Sequence, residues 1–182
     1  MGMIRAVGEV SPEQMKAVID AVKTKLMGYG VKYAKKDAEE LCVRALMPAT
    51  DLGLNTEAWD NESTLTANTW SEDWSHELSE DECVVFIGVA NRTDNPQVVG
   101  TKFKVGSSGN TTRDVQMYEE LYVMDEPRGL FKEPIVYVGK ETIYIEHYSK
   151  TTITAGQELL ELIGYIVKPY GNEISAKLPY PA

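Results

Sequence analysis

The chain has 182 residues, of which 43% are hydrophobic and 25% charged, and a formal net charge of −10. A chain of this size buries roughly 70% of its unfolded surface, so it needs no disulfide or metal staple. The acidic surplus argues against nucleic acid or anionic membranes as main partners, because phosphate binding needs an excess of Lys and Arg.

Ser11-Pro12-Glu13-Gln14 reads as a helix start, with Ser11 as N-cap, Pro12 at the first helical position and Gln14 closing a capping box. Met15, Val18, Ile19, Val22 and Leu26 follow on one face, and Gly28 and Gly30 are expected to end the helix. Residues 1–48 thus read as a helical segment or arm. Met15, Ile19, Val22 and Leu26 would dock it, either on the chain's own sheet or on a neighbouring subunit. Further on, Asp37 with Glu40 fits a second capping box, while Leu41, Val43, Ala45 and Met47 alternate as in a strand. A helical turn followed by an extended edge ending at Pro48 is expected there.

Residues 49–82 read as a long, irregular, acidic connection, with a short strand at Leu65 and Ala67. Trp59, Trp70 and Trp74 all lie in it. Indole rings are costly to leave in water, so these three are expected to pin the connection to the sandwich or to a partner.

Residues 83–182 read as the sandwich itself. CVVFIGVA, from Cys83, is nearly all apolar and suits a central strand. NRTDNP is a turn, QVVGTKFKV alternates with a bulge expected at Gly100, and GSSGNTT is a hairpin tip without the Lys of a phosphate loop. DVQMYEELYVM, from Asp114, reads as one long strand and DEPRGLFKEP as a loop. PIVYV, TIYIEHY, TTIT and QELLELIGYIV read as further strands, GNEISAK as a last short one, and Pro179 and Pro181 as an extended tail. Roughly seven or eight strands at such spacing, with no alternating helices, predict a mainly β, antiparallel sandwich. A jelly-roll-like arrangement is the first choice, preceded by the amphipathic helix and the long connection.

Chemistry is sparse by comparison. A catalytic triad needs a nucleophile, an oriented base and an orienting acid, and His76 and His147 are the only histidines that could be the base. His147 reads as a strand histidine with a local hydrogen bond, and His76 as solvent-exposed. Cys42 and Cys83 lie far apart without a CxxC pair and read as buried free thiols. Glu72, Asp73, Glu77 and Asp81, with His76 among them, are weak Ca²⁺ candidates, but EF-hand spacing is absent and a solvated acidic loop is the better reading. No metal or cofactor is expected. No basic stretch followed by an apolar one opens the sequence, so no signal peptide is expected, and no apolar run is long enough for a membrane span. The sequons at Asn61, Asn91 and Asn110 then read as accidental.

The run FKEPIVYVGKETIYIEHYS…TITAGQELLELIGYIVKPYGNEIS resembles the end of small jelly-roll virion proteins, the capsid, decoration and minor structural proteins of bacterial and archaeal viruses. The matching positions are Glu133, Pro134, Ile135, Tyr137, Gly164, Tyr165, Val167, Pro169, Gly171 and Ile174, about the last third of the chain. The resemblance implies a non-enzymatic structural protein that self-associates symmetrically and contacts other virion proteins. It implies location in a virus particle, with the cytoplasm as the alternative. Trp59, Trp70 and Trp74 would serve as interface anchors. Two other classes remain open: a carbohydrate-binding sandwich module, with or without Ca²⁺, and a sandwich hydrolase or isomerase.

Overall fold

The computed structural model describes residues 4–6 (backbone only), 10–106, 108–123 and 127–170. A short edge strand, β1 (Ile4–Ala6), precedes helix α1 (Pro12–Ala34). Eight further strands then pair in a nested way. β2 (Leu41–Ala45) lies against β9 (Leu160–Pro169), and β3 (Trp70–Glu77) against β8 (Thr142–Ser149). β4 (Cys83–Asn91) lies against β7 (Arg128–Tyr137), and β5 (Val98–Val105) against β6 (Thr111–Met117). All four pairs are antiparallel and alternate between two sheets, ordered β1-β7-β4-β9-β2 and β3-β8-β5-β6. This nesting is the jelly roll that the strand spacing predicts.

Between the sheets lies one apolar core. Phe86 and Phe103 are fully buried, their rings tilted against each other with centroids 5.5 Å apart, with Tyr137, Phe131, Ile145 and Leu162 around them. Burying each such side chain stabilises the fold by about 1.5–3 kcal/mol. β4 is buried along its whole length, as its uniform apolar composition predicts. The expected bulge at Gly100 is present as a register shift between Val98 and Gly100 against β8.

α1 lies on the outer face of the first sheet. Val22 and Leu26 join Val85, Ile87 and Val167 in a second apolar cluster, with Met15 packed at its margin, while Ile19 is half-buried. The capping box is formed: Gln14 N–H donates to Ser11 Oγ at 3.2 Å, and Ser11 N–H donates to Gln14 Oε1 at 3.0 Å. The helix does not stop at Gly28 or Gly30. It runs on to Ala34, and Lys35 closes it in the left-handed conformation at φ 54°. Gly30 is there for close approach instead: an added Cβ would sit 2.8 Å from Val167 Cγ2. At Gly28 an added Cβ would meet nothing within 4 Å. The two positions should therefore respond with opposite sign. Gly28→Ala is expected to stabilise by about 1 kcal/mol through helix propensity. Gly30→Ala is expected to destabilise by about 1–3 kcal/mol through overpacking. Urea unfolding of the two single variants checks both.

Several expected boundaries shift. The sandwich does not begin at residue 83, because β2 and β3 precede Cys83 and the stretch 49–82 is not irregular throughout. It holds helix α2 (Pro48–Leu52), isolated bridges at Asp60, Leu65 and Ala67, and the whole of β3. A register shift between Glu72 and Trp74 breaks the alternation of β3, so Asp73 and Trp74 are both buried. The strand from Asp114 ends at Met117, and helix α3 (Glu119–Val123) follows. Conversely, β7 starts at Arg128, inside the stretch read as a loop. It bulges opposite the Phe86–Gly88 step of β4, and Pro134, which has no N–H to give, lies within that bulge. TTIT contributes one bridge, Leu65 to Ile153, rather than a strand. Expected strand GNEISAK lies outside the described residues, as do Gly171 and Ile174.

Candidate functional site

Three places concentrate polar or aromatic side chains. The first is internal and crosses the second sheet. Asp73 on β3, His147 on β8 and Thr101 on β5 all face the core, and Tyr118 closes the row just after β6. Thr101 Oγ1 lies 3.0 Å from His147 Nδ1 and 3.0 Å from Tyr118 Oη, while His147 Nε2 lies 3.4 Å from Asp73 Oδ2. Ser63 N–H donates to Asp73 Oδ1 at 3.0 Å. Every group is served if Tyr118 donates to Thr101, Thr101 to Nδ1, and Nε2–H to Asp73. The Thr–His–Asp sequence looks like a triad in outline. Yet Thr101 is fully buried, and the His147 and Asp73 side chains are each only 2% exposed, so no substrate reaches the hydroxyl. The row ties strands together.

The partners of His147 are not the local ones expected but Thr101 and Asp73 on neighbouring strands, and Asp73, a Ca²⁺ candidate by sequence, is buried in β3 rather than in a loop. Glu72 and Glu77 point to solvent on β3, and among the described residues no group of three potential ligands converges to hold a metal ion. His76 is not in an exposed loop. It is half-buried on β3, and burial is the main cause holding its pKa below the usual histidine value, against the pull of Glu82 and Asp51. Cys42 and Cys83 are both free and buried, and burial pushes the Cys83 thiol up. Two sequons are structurally committed. The Asn61 amide donates to the carbonyls of Ser63 and Thr154, and that of Asn91 donates to Tyr122 Oη and buried Glu158.

The second place is the outer face of the β3-β8-β5-β6 sheet. Trp70 reaches from edge strand β3 across the sheet. Its ring packs beside Tyr148 at 5.5 Å and lies over Gly100, where an added Cβ would be 3.1 Å from Cη2 and 2.5 Å from Met117 Sδ. Lys102 Nζ sits 4.3 Å from the Trp70 ring centroid. Glu146 accepts from Lys102 at 3.0 Å and from Lys104 at 2.5 Å. Burial raises the Glu146 pKa, but these two hydrogen bonds outweigh it and the net shift is downward. Trp70, Tyr144, Tyr148, Val115 and Met117 are all half-buried here.

The third place is a cleft of about 470 Å³ at one end of the sandwich, between the start of α2 and the turn into β9. Trp59 lines it with Leu46, Met47, Pro48 and Leu159. Met47 is 44% exposed and Leu159 37%. Arg92 and Glu161, an ion pair, stand at its mouth with Glu57. Trp59 has φ 61°, a left-handed conformation that costs a bulky residue about 1–3 kcal/mol. Its carbonyl accepts from Leu160 N–H at 3.0 Å, which fixes that backbone.

Of the three tryptophans, Trp74 is therefore in the core, Trp70 lies on the open sheet face, and Trp59 lines the cleft. The structure does not bring them together. Neither the Asp73–His147 pairing nor the Trp70–Tyr148 pairing has a chain-local signal, because strand register places each pair.

The nested strand pairs define a jelly-roll β-sandwich. In comparison with known proteins, no family model, no curated protein and no solved structure matches the chain.

Proposed function

We propose that this chain is a non-enzymatic structural protein that self-associates into a symmetric oligomer as a component of a virus particle. The observation that carries the reading is the unequal treatment of the two sheets. α1 covers the first, whereas no described helix covers the second, whose outer face holds Trp70, Tyr148, Val115 and Met117. Aromatic and Met side chains of this type are what interface centres are enriched in. The Lys102–Glu146–Lys104 group is paired within the face but keeps one net positive charge, which a docking partner would meet with an acceptor or carboxylate. The resemblance of the last third of the chain to virion proteins supplies the setting. Helix residues Met15, Val22 and Leu26 pack on the chain's own sheet, while Val18, Val31 and Tyr33 remain on its solvent side.

Sedimentation velocity across a concentration series, with electron microscopy of the concentrated protein, tests the proposal. A closed oligomer is expected, and Trp70→Ala should shift it towards monomer without unfolding it. A monomer at every concentration would remove the assembly reading.

A further inference from the structure

We propose that the Trp59 cleft is a binding site for a neutral saccharide, independently of whether the chain assembles. Its volume, about 470 Å³, falls within the range that small-molecule sites occupy. The wall is apolar and aromatic, with Trp59 held in the left-handed region and Met47 and Leu159 left in solvent beside it. Trp59 also packs against the main core, but a bulky residue held in the left-handed region is uncommon, and residues strained in this way cluster at ligand sites. The mouth is polar. Arg92, its side chain 59% exposed, pairs with Glu161 on the neighbouring strand, and both line the cleft. An exposed pair of this type adds little stability, so both groups can turn to a ligand at little cost.

The chemistry of the mouth selects the ligand. A sugar hydroxyl both donates and accepts, so a guanidinium beside a carboxylate matches two neighbouring hydroxyls. The apolar C–H face of a pyranose ring would lie against Trp59. Glu57 and Glu161 outnumber Arg92, which disfavours phosphates and acidic sugars. Glu57 is in any case engaged, because it accepts from Thr50 N–H at 3.0 Å and Thr50 Oγ1 at 2.6 Å. Arg92 and Glu161 are thus the groups left to orient a ligand.

The test is titration of the full chain with glucose, galactose, mannose and N-acetylglucosamine, read from the three indole N–H signals in proton–nitrogen NMR spectra. A saturable shift is expected at Trp59 with at least one sugar, without one at buried Trp74. Arg92→Gln should weaken that sugar's affinity by about 10-fold, the effect of losing a charged hydrogen-bond donor. Trp59→Gly, which suits the left-handed backbone and keeps the fold, should abolish binding. No saturable shift at Trp59 with any of the four sugars would overturn the proposal. So would binding that persists unchanged in Trp59→Gly.

Discussion

Asp51→Ala is expected to destabilise the fold by about 3–5 kcal/mol, measured by urea unfolding at neutral pH. The Asp51 side chain on α2 has no exposed surface, and three elements converge on it. Arg44 of β2 donates through both guanidinium nitrogens at 2.6 and 2.5 Å, Lys168 of β9 at 3.0 Å, and Met47 N–H at 2.8 Å. Removing the carboxylate leaves two largely covered cations facing each other, which is why the loss should exceed that of a surface pair. Burial is the largest influence on Asp51 and raises its pKa, but the bonds from Arg44, Met47 and Lys168 outweigh it and the net shift is downward. A depressed carboxylate contributes stability that is fully present above the unfolded value, about 4, and is lost as pH falls through the lower folded value. Acid unfolding of Asp51→Asn should therefore be less steep than that of the parent below about pH 4. Equal steepness would mean that the cluster does not hold the α2 end.

The second large effect is expected at Asp73. Asp73→Ala takes the acceptor from both His147 Nε2 and Ser63 N–H, and leaves the buried imidazole with Thr101 but no carboxylate. A loss of about 2–4 kcal/mol should follow. Replacing both members, Asp73→Ala with His147→Leu, should be less harmful than the sum of the two single changes, because the contact between imidazole and carboxylate is then lost only once, although Ser63 N–H and Thr101 Oγ1 each still lose a partner. Strict additivity in the double variant would show that the two side chains do not act on each other.

Much of this architecture was legible in the residues, and the losses have identifiable causes. Ser11, Pro12 and Gln14 announced the start of α1 because capping is local chemistry. Its end was misjudged because Gly30 answers to Val167, a neighbour that only the sheet brings near. β4 was readable from its unbroken apolar run. β3 was not, because the shift at Glu72–Trp74 spoils a two-residue period over an edge strand rich in acids. Tyr118 to Val123 looked strand-like by composition, but buried Tyr118 and Leu121 face inward at helical spacing. For the site, the three indole rings read from the sequence as side chains that must cover something. What each one covers depends on strand register, and no window of sequence contains that.

The nesting of the strands has a consequence for how the chain reaches its native state. Of the four nested pairs described, β5 and β6 are the one whose strands follow each other in the chain, whereas the outermost ladder joins Leu41 to Pro169. Each pair further out closes a longer loop, so its entropy must be lost before its hydrogen bonds return anything. Such high contact order places refolding in the slow range, milliseconds to seconds, with the β5–β6 hairpin as the natural nucleus and the β2–β9 seam closing last.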